Sequence, residues 1–378
     1  MRKLFAKIHL WLSIPFGIII AIICLTGAIL VFETELLELC YPSRYFVKEV
    51  KGEPLPPDVL LSSARQQLPD SIQINGIRVS QNTKRTWQVV LPGKKSAAFI
   101  NPYTAEITGI DDGQGFFMQM MRLHRWLLDS YKRDGSFSLG KAVVGYSTLA
   151  FAIILISGLV IWYPRNKKVL KNRLKIKTKS GWHRFFYDLH VSGGFYATLL
   201  LLALALTGLT WSFGWYRDAF YTIFGVETTQ PQAHAPAPSD SKGKSKEKGS
   251  HERGRNKHAE TDYTQWATVL TDLQNRYPQY NSITIQDGSA TVSSARYGNT
   301  RGSDRYSFDT ANGKIKEVQL YEDLPKSGKI RGWIYSVHAG TWGGLTTKIL
   351  SCLVSLLGAV FAITGYYFWI KKKLRKKK

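Results

Sequence analysis

Cysteine is scarce: the 378-residue chain has three, Cys24, Cys40 and Cys352, and no two stand in a C-x-x-C spacing. That removes a thiol redox motif and a cysteine zinc site, and the missing C-x-x-C-H removes covalent c-type haem attachment. No G-x-G-x-x-G follows a strand-like run, so the phosphate-cradling turn of a nicotinamide or flavin domain is lacking. Acid is short as well, with 27 Asp and Glu against 51 Lys and Arg, a net charge of +24. Four stretches lack charge altogether: 10–32, 143–162, 191–213 and 349–370, each of about 20 residues. That length crosses a hydrocarbon core of roughly 30 Å, and a Lys or Arg at a helix centre would cost about 2.5–3.5 kcal/mol. A membrane α-helical protein with four transmembrane helices is expected.

The excess of basic residues is concentrated at the ends of these runs. Arg2, Lys3 and Lys7 precede the first, nine Lys or Arg and no acid lie between 164 and 187, and seven more fill 371–378. Four crossings put all three clusters on one side, which the positive-inside rule makes cytoplasmic. Segments 33–142 and 214–348 then lie outside. Lysines that hug a bilayer, the lipid partner implied here, do not form a nucleic-acid surface; the basic loop 164–190 instead faces anionic headgroups. Met1-Arg-Lys ahead of the first run imitates a signal peptide. The run is too long for an h-region and has no small-residue cleavage site, so a retained anchor is expected.

The chain also repeats itself. A shift of 181 residues carries Phe5, His9, Leu25, Thr26, Gly27 and Phe32 onto Phe186, His190, Leu206, Thr207, Gly208 and Phe213. In both copies histidine and glycine are 18 residues apart, five helical turns, so they share a face at roughly 27 Å separation. Gly158 and Trp162 likewise match Gly365 and Trp369; these glycines read as close helix packing and the tryptophans as interfacial belts. Each external region reads as a small α+β module. The first has a helix at 58–68 and strands at 72–80, 86–91 and 97–100; the second has a helix at 266–277 and strands at 282–286, 291–295 and 306–309. An internal duplication follows: span, external module, histidine segment, span. The boundaries are 1–32 for the N-terminus and first span, 33–142 for the first module, 143–163 for the second span, 164–190 for the basic loop and 191–213 for the third span. The second module follows at 214–348, the fourth span at 349–370 and the basic tail at 371–378. A tether at 228–260, rich in Pro, Ala, Ser, Lys and Gly, has no core to bury and is expected to be disordered. Its His234, His251 and His258 read as solvated residues.

Five histidines remain. His9 and His190 lie at the cytoplasmic ends of spans one and three. His124 lies in an amphipathic segment, 116–128, just before span two, and His338 lies just before span four. One interfacial histidine is usually an anchor or a cap. A repeated histidine at the same helical phase, with a second pair at the opposite membrane face, points instead to bis-histidine ligation of haem b at two sites. Ala339, Gly340, Gly343 and Gly344 leave room beside His338, and Arg122 and Arg125 flank His124 as partners for propionates. His183 stands seven residues before His190, about 10.5 Å along a helix. It reads as a surface residue of the basic loop, with replacement of His9 as a ligand the alternative. No catalytic side chain is assigned.

Lys7-Ile-His9-Leu-Trp-Leu, Leu25-Thr-Gly27-Ala, Phe32-Glu-Thr-Glu35-Leu, Tyr187-Asp-Leu-His190 with Gly193-Gly-Phe, and the paired external modules resemble the PepSY-associated transmembrane proteins. The similarity runs from residue 2 to about 372, apart from 228–260. Some members are bacterial inner-membrane reductases of ferric siderophores that hold two haems b between four spans. The resemblance therefore implies one haem b near His9 and His190, another near His124 and His338, and electrons passed outward to an Fe(III) chelate in the periplasm for iron uptake. Without a fused flavin domain, the donor would be a cytoplasmic flavoprotein or a membrane quinol. The alternative is a non-catalytic protein whose PepSY-like modules bind or restrain an envelope protease or another partner. A transporter ranks last, because the halves share one orientation and the spans hold no carboxylate or broken helix.

Overall fold

The structure is a computed structural model that describes residues 1–93, 95–129, 136–164, 166–226, 263–294 and 298–375. The tether expected at 228–260, with its three histidines, lies outside them, as does the end of the basic tail. Helix α1 (Arg2–Val31) is followed by α2 (Glu33–Cys40), α3 (Pro42–Tyr45) and α4 (Pro57–Gln67). Strands β1 (Gly76–Ser80), β2 (Trp87–Val90), β3 (Ala97–Ile100) and β4 (Ile107–Asp111) lead to α5 (Phe116–Trp126) and α6 (Leu139–Trp162). After α7 (Lys167–Arg173), helix α8 (Trp182–Asp188) passes through one π-helical stretch, Leu189–Gly193, into α9 (Gly194–Ser212) and then α10 (Gly214–Ile223). The second external set comprises α11 (Trp266–Arg276), β5 (Ser282–Gln286), β6 (Ser289–Ser293), β7 (Ser303–Phe308) and β8 (Ile315–Gln319). Helices α12 (Lys326–His338) and α13 (Gly344–Arg375) close the chain.

Among the described residues, four helices are long and apolar enough to cross a membrane: Arg2–Val31, Leu139–Trp162, Trp182–Ser212 and Gly344–Arg375. Each starts before its expected run and covers it, except that Phe32 and Phe213 fall just beyond the ends of the first and third helices. The chain is a multi-pass membrane protein with an antiparallel sheet region. In the bundle α1 and α9 stand across from each other, and each packs on both α6 and α13. Large apolar side chains point outward, with Ile18 62% and Leu199 78% exposed, as lipid-facing surfaces do. Small polar residues, Ser147, Ser157, Thr207, Ser351, Ser355 and Thr364, are buried instead. That is the membrane pattern, in which small side chains let helices approach.

The strands differ from the sequence expectation in two ways. Each external region has four strands rather than three, and all eight form one sheet, in the order β4-β3-β2-β1-β5-β6-β7-β8. The two meanders join through β1 and β5, which pair antiparallel from Gly76 opposite Gln286 to Ser80 opposite Ser282. A Cβ at Gly76 would lie 2.5 Å from the Ile285 carbonyl oxygen, so glycine permits this join. Both meanders carry a register shift late, at Phe99/Ile100 and at Ser307/Phe308. Helices α4 and α11 lie on one face and share one core. Leu60, Leu61, Trp266 and Leu273 pack on Ile77, Val89, Ile283, Ile285 and Val292. Burial of each such side chain contributes about 1.5–3 kcal/mol.

The β1–β5 join is directly testable. Arg78 and Thr284 are opposite partners, and opposed residues in antiparallel strands have Cα atoms about 4.5–5.5 Å apart, within disulfide reach. In a background with Cys24, Cys40 and Cys352 changed to serine, Arg78→Cys with Thr284→Cys is expected to cross-link on mild oxidation. Protease cleavage within 228–260 should then leave the two fragments joined on a non-reducing gel. Fragments that separate would mean the meanders do not pair.

Candidate functional site

Four of the five histidines outside the tether come together as two pairs. The rings of His9 and His190 have centroids 6.5 Å apart, and those of His124 and His338 are 6.1 Å apart. His9 lies near the start of α1 and His190 in the π-helical stretch before α9, so that pair occupies the end of the bundle that carries both termini. His124 on α5 and His338 at the end of α12 form the other pair at the sheet end. His183 joins neither: its ring packs on Tyr367 and Phe368, at 6.0 and 5.7 Å.

Each imidazole is seated on a neighbouring helix in the same way. His9 Nδ1 is 3.0 Å from the Ile154 carbonyl and 3.2 Å from Ser157 Oγ. His124 Nδ1 is 3.0 Å from the Ile23 carbonyl and 3.1 Å from Thr26 Oγ1. His338 Nδ1 is 3.0 Å from the Leu204 carbonyl and 3.2 Å from Thr207 Oγ1. His190 Nδ1 is 2.9 Å from Thr364 Oγ1, with a further bond to the Phe361 backbone. The residue after each hydroxyl is glycine. A Cβ there would lie 3.3 Å from His9 Cε1 at Gly158, 3.1 Å from His124 Cε1 at Gly27 and 3.1 Å from His338 Cε1 at Gly208. At Gly365 it would lie 3.8 Å from His190 Cε1. The seat is therefore a carbonyl, a Ser or Thr three residues on, and a glycine after that.

The hydroxyls settle the tautomer. Thr26, Thr207 and Thr364 each donate to the carbonyl four residues back, at 2.7, 2.6 and 2.8 Å, and Ser157 donates to Ile154 at 2.9 Å. With their protons committed, the oxygens accept, so each histidine donates from Nδ1 and keeps its lone pair on Nε2. Two such rings cannot hydrogen-bond to each other through Nε2, since both are acceptors. Burial keeps the outer pair neutral: it pushes His124 down to about 3, helped by His338, and His338 down to about 4.

Neutral imidazoles with fixed Nδ1–H bonds are metal ligands in waiting. Metal–imidazole bonds of roughly 2.0–2.1 Å on opposite sides of one ion, with about 1.1 Å from nitrogen to ring centroid, put two centroids roughly 6.3 Å apart. The observed 6.5 and 6.1 Å bracket that figure. No group of three or more His, Cys, Asp or Glu placed to hold a bare ion occurs among the described residues. Two imidazoles are too few for a free ion but complete the shell of an iron held in a macrocycle. Trp162, one turn beyond Gly158 on α6, is buried and its Nε1 has no hydrogen-bond partner among the described residues, a donor available to an anionic substituent. Near the outer pair, Arg122 bonds to Gln119 and the Leu128 carbonyl, and Arg125 lies over the Trp126 ring at 4.7 Å.

Residues 6–372 match the protein family described as the PepSY-associated TM region. The chain belongs to that family. A search of the curated proteins finds no match. Within the PepSY-associated frame, sequence reasoning placed the histidines but missed Ser157 and Thr364 as their partners, and read Gly158 and Gly365 as packing glycines. They are imidazole seats. The signal was present: each membrane helix contains a Ser-Gly or Thr-Gly step, at 26–27, 157–158, 207–208 and 364–365.

The seat predicts a contrast between two glycines. An alanine Cβ at Gly208 meets His338 at 3.1 Å, and one at Gly365 meets His190 at 3.8 Å. Alanine's better helix propensity favours both variants alike, so their difference is the readout. Gly208→Ala should be less stable than Gly365→Ala by an overpacking cost of about 1–3 kcal/mol, read from thermal unfolding in detergent. Equal stabilities would mean that His338 does not rest on Gly208.

Proposed function

We propose that this protein is a haem b membrane reductase that passes electrons across the bilayer to an Fe(III) chelate, such as a ferric siderophore, on the side of the sheet. The observation that carries this reading is a pair of Nδ1-anchored imidazoles at each end of one bundle, with ring centroids 6.5 and 6.1 Å apart. His9 with His190, and His124 with His338, would each hold one haem iron. When bound, haem b supplies a one-electron Fe(III)/Fe(II) couple. The chain's own residues do the rest. Ile154 and Ser157, Ile23 and Thr26, Leu204 and Thr207, and Phe361 and Thr364 hold the rings in the ligating tautomer and raise their basicity. Arg122 and Arg125 are placed for propionates at the outer pair, and the apolar bundle around Phe151, Leu155 and Leu201 excludes water from between the two pairs.

On the sheet side, Arg331 and Tyr335 share α12 with His338, and the Arg301 guanidinium lies over the Tyr335 ring at 3.7 Å. These cations suit an anionic Fe(III) chelate as substrate. Reduction loosens the hold of hard oxygen donors on the metal, which is then released. The basic clusters favour an orientation with both termini on the cytoplasmic side, which in a bacterial inner membrane would give a separate flavoprotein or a membrane quinol access as donor. We also infer that the halves descend from one duplicated unit, each with two spans, a four-stranded meander and two imidazole seats.

The test is an absorption spectrum of detergent-purified protein, oxidised and then dithionite-reduced, with a pyridine haemochrome assay. About two six-coordinate b-type haems per chain are expected, with His9→Ala and His124→Ala each removing a different one. Protein that stays colourless after expression with ample haem would sink this reading and favour a module that binds or restrains an envelope partner.

A further inference from the structure

At the end of the bundle that carries both termini, Phe368, Lys371, Lys372 and Arg375 occupy one face of the last turns of α13, at helical spacing. Together with His183 of α8 they line a cavity of about 240 Å³. One wall is aromatic. The His183 ring meets Phe368 at 5.7 Å and Tyr367 at 6.0 Å, and Phe368 in turn meets His190 at 6.0 Å. The other wall is cationic and lacks a counter-charge. Among the described residues no carboxylate pairs with Lys371, Lys372 or Arg375, and the one side-chain bond in the set runs from Lys371 to the Tyr367 hydroxyl at 3.3 Å. The nearby Asp188 is already engaged by Arg184 and by the Lys177 backbone N–H.

Lysines at a helix C-terminus are ordinarily solvated and favoured by the helix dipole. Lys373 fits that description: it turns away from the cavity and lies over Trp369. The three cavity cations differ in converging on a concavity with an aromatic back. A guanidinium and two ammonium groups match the several acceptor oxygens of a phosphate, and basic pockets between helices at this face of a membrane hold phosphorylated groups. We propose that this cavity is a phosphate-binding site, taking a phosphate ester whose non-polar part packs on Phe368 and His183. Two sources share that chemistry: the phosphodiester of an anionic phospholipid, and a soluble aromatic phosphomonoester. Either would sit one phenyl ring from the inner histidine pair. The inference does not depend on what that pair binds.

The experiment uses the full chain, delipidated in neutral detergent. In one arm, native mass spectrometry compares retention of phosphatidylglycerol with phosphatidylcholine. In the other, flavin fluorescence compares riboflavin 5′-phosphate with riboflavin. In at least one arm the phosphate-bearing or anionic probe is expected to bind about tenfold or more tightly than its counterpart. Lys372→Gln with Arg375→Gln should abolish that preference. Lys372→Arg with Arg375→Lys, which keeps the charge, should retain it, as should Lys167→Gln with Lys168→Gln, which removes the same charge from α7. A preference confined to the lipid arm assigns a headgroup, and one confined to the flavin arm assigns a soluble phosphate. No preference in either arm, or equal loss in the α7 variant, would overturn the site. Haem content read from the same samples distinguishes this failure from failure of the reductase reading.

Discussion

The structure depends on where four imidazole N–H groups go. A buried donor left unpaired costs about 1–3 kcal/mol, and a helix offers no free acceptors except carbonyls already in its own ladder. Each seat solves this with a carbonyl that takes a second bond and a hydroxyl whose proton is already spent on its own backbone. The ring must approach the helix closely to reach both. At three of the four seats glycine is what makes the approach possible, since a Cβ would lie 3.1–3.3 Å from the ring, while at Gly365 it would be in ordinary contact at 3.8 Å. The histidines therefore dictate which helices touch: α5 rests on α1, α1 on α6, α12 on α9, and α9 on α13. Imidazole anchoring and helix packing are one set of contacts.

The sheet extends this order to the outer pair, whose histidines come from outside the membrane helices. Helix α12 is locked to the second meander through Asn299, which is almost fully buried and donates to the Tyr321 hydroxyl at 2.9 Å and the Lys329 carbonyl at 3.2 Å. Any side chain at Gly332 would clash with the Asn299 side-chain amide, and the Thr300 N–H donates to Ser336 at 3.0 Å. On the other side three glutamates of α2 reach out: Glu33 to Lys95, Glu38 to Arg85, and Glu35 to Lys348 of α13. Such pairs add little stability individually. Their use is directional, since one short helix grips the first meander and the fourth span together.

Parts of this were legible because they have a local period or a repeat. Spans are read from length and missing charge, and His124 and His338 from standing before equivalent spans. The fourth strands were not. Strand β8, Ile-Lys-Glu-Val-Gln, is exposed along most of its length, and β4 is half-buried; edge strands need no apolar alternation, so the signal for them is absent. The join of β1 to β5 pairs residues about 200 positions apart, and nothing in either strand alone encodes a partner. Gly158 and Gly365 carried two readings, and only the ring beside each chooses between them. The same holds for Ser157 and Thr364, ordinary polar residues of a membrane helix until an imidazole arrives.

One length ties the two ends together. Helix α1 carries a histidine near one end and a seat near the other, and the π-helical stretch with α9 carries a second such set, with histidine and glycine 18 residues apart in both. At 1.5 Å per residue that is roughly 27 Å, close to the hydrocarbon thickness of a bilayer. The two pairs thus lie at opposite ends of the bundle. Because 18 residues of the unbroken helix α1 are five full turns, His9 and Gly27 also face the same way, into the bundle. An insertion of one residue between them would rotate the seat by about 100° and aim it away from α5. In α1 the spacing answers both to the thickness of a bilayer and to the pitch of the helix; the second half keeps the same number of residues but passes them through a π-helical stretch at His190.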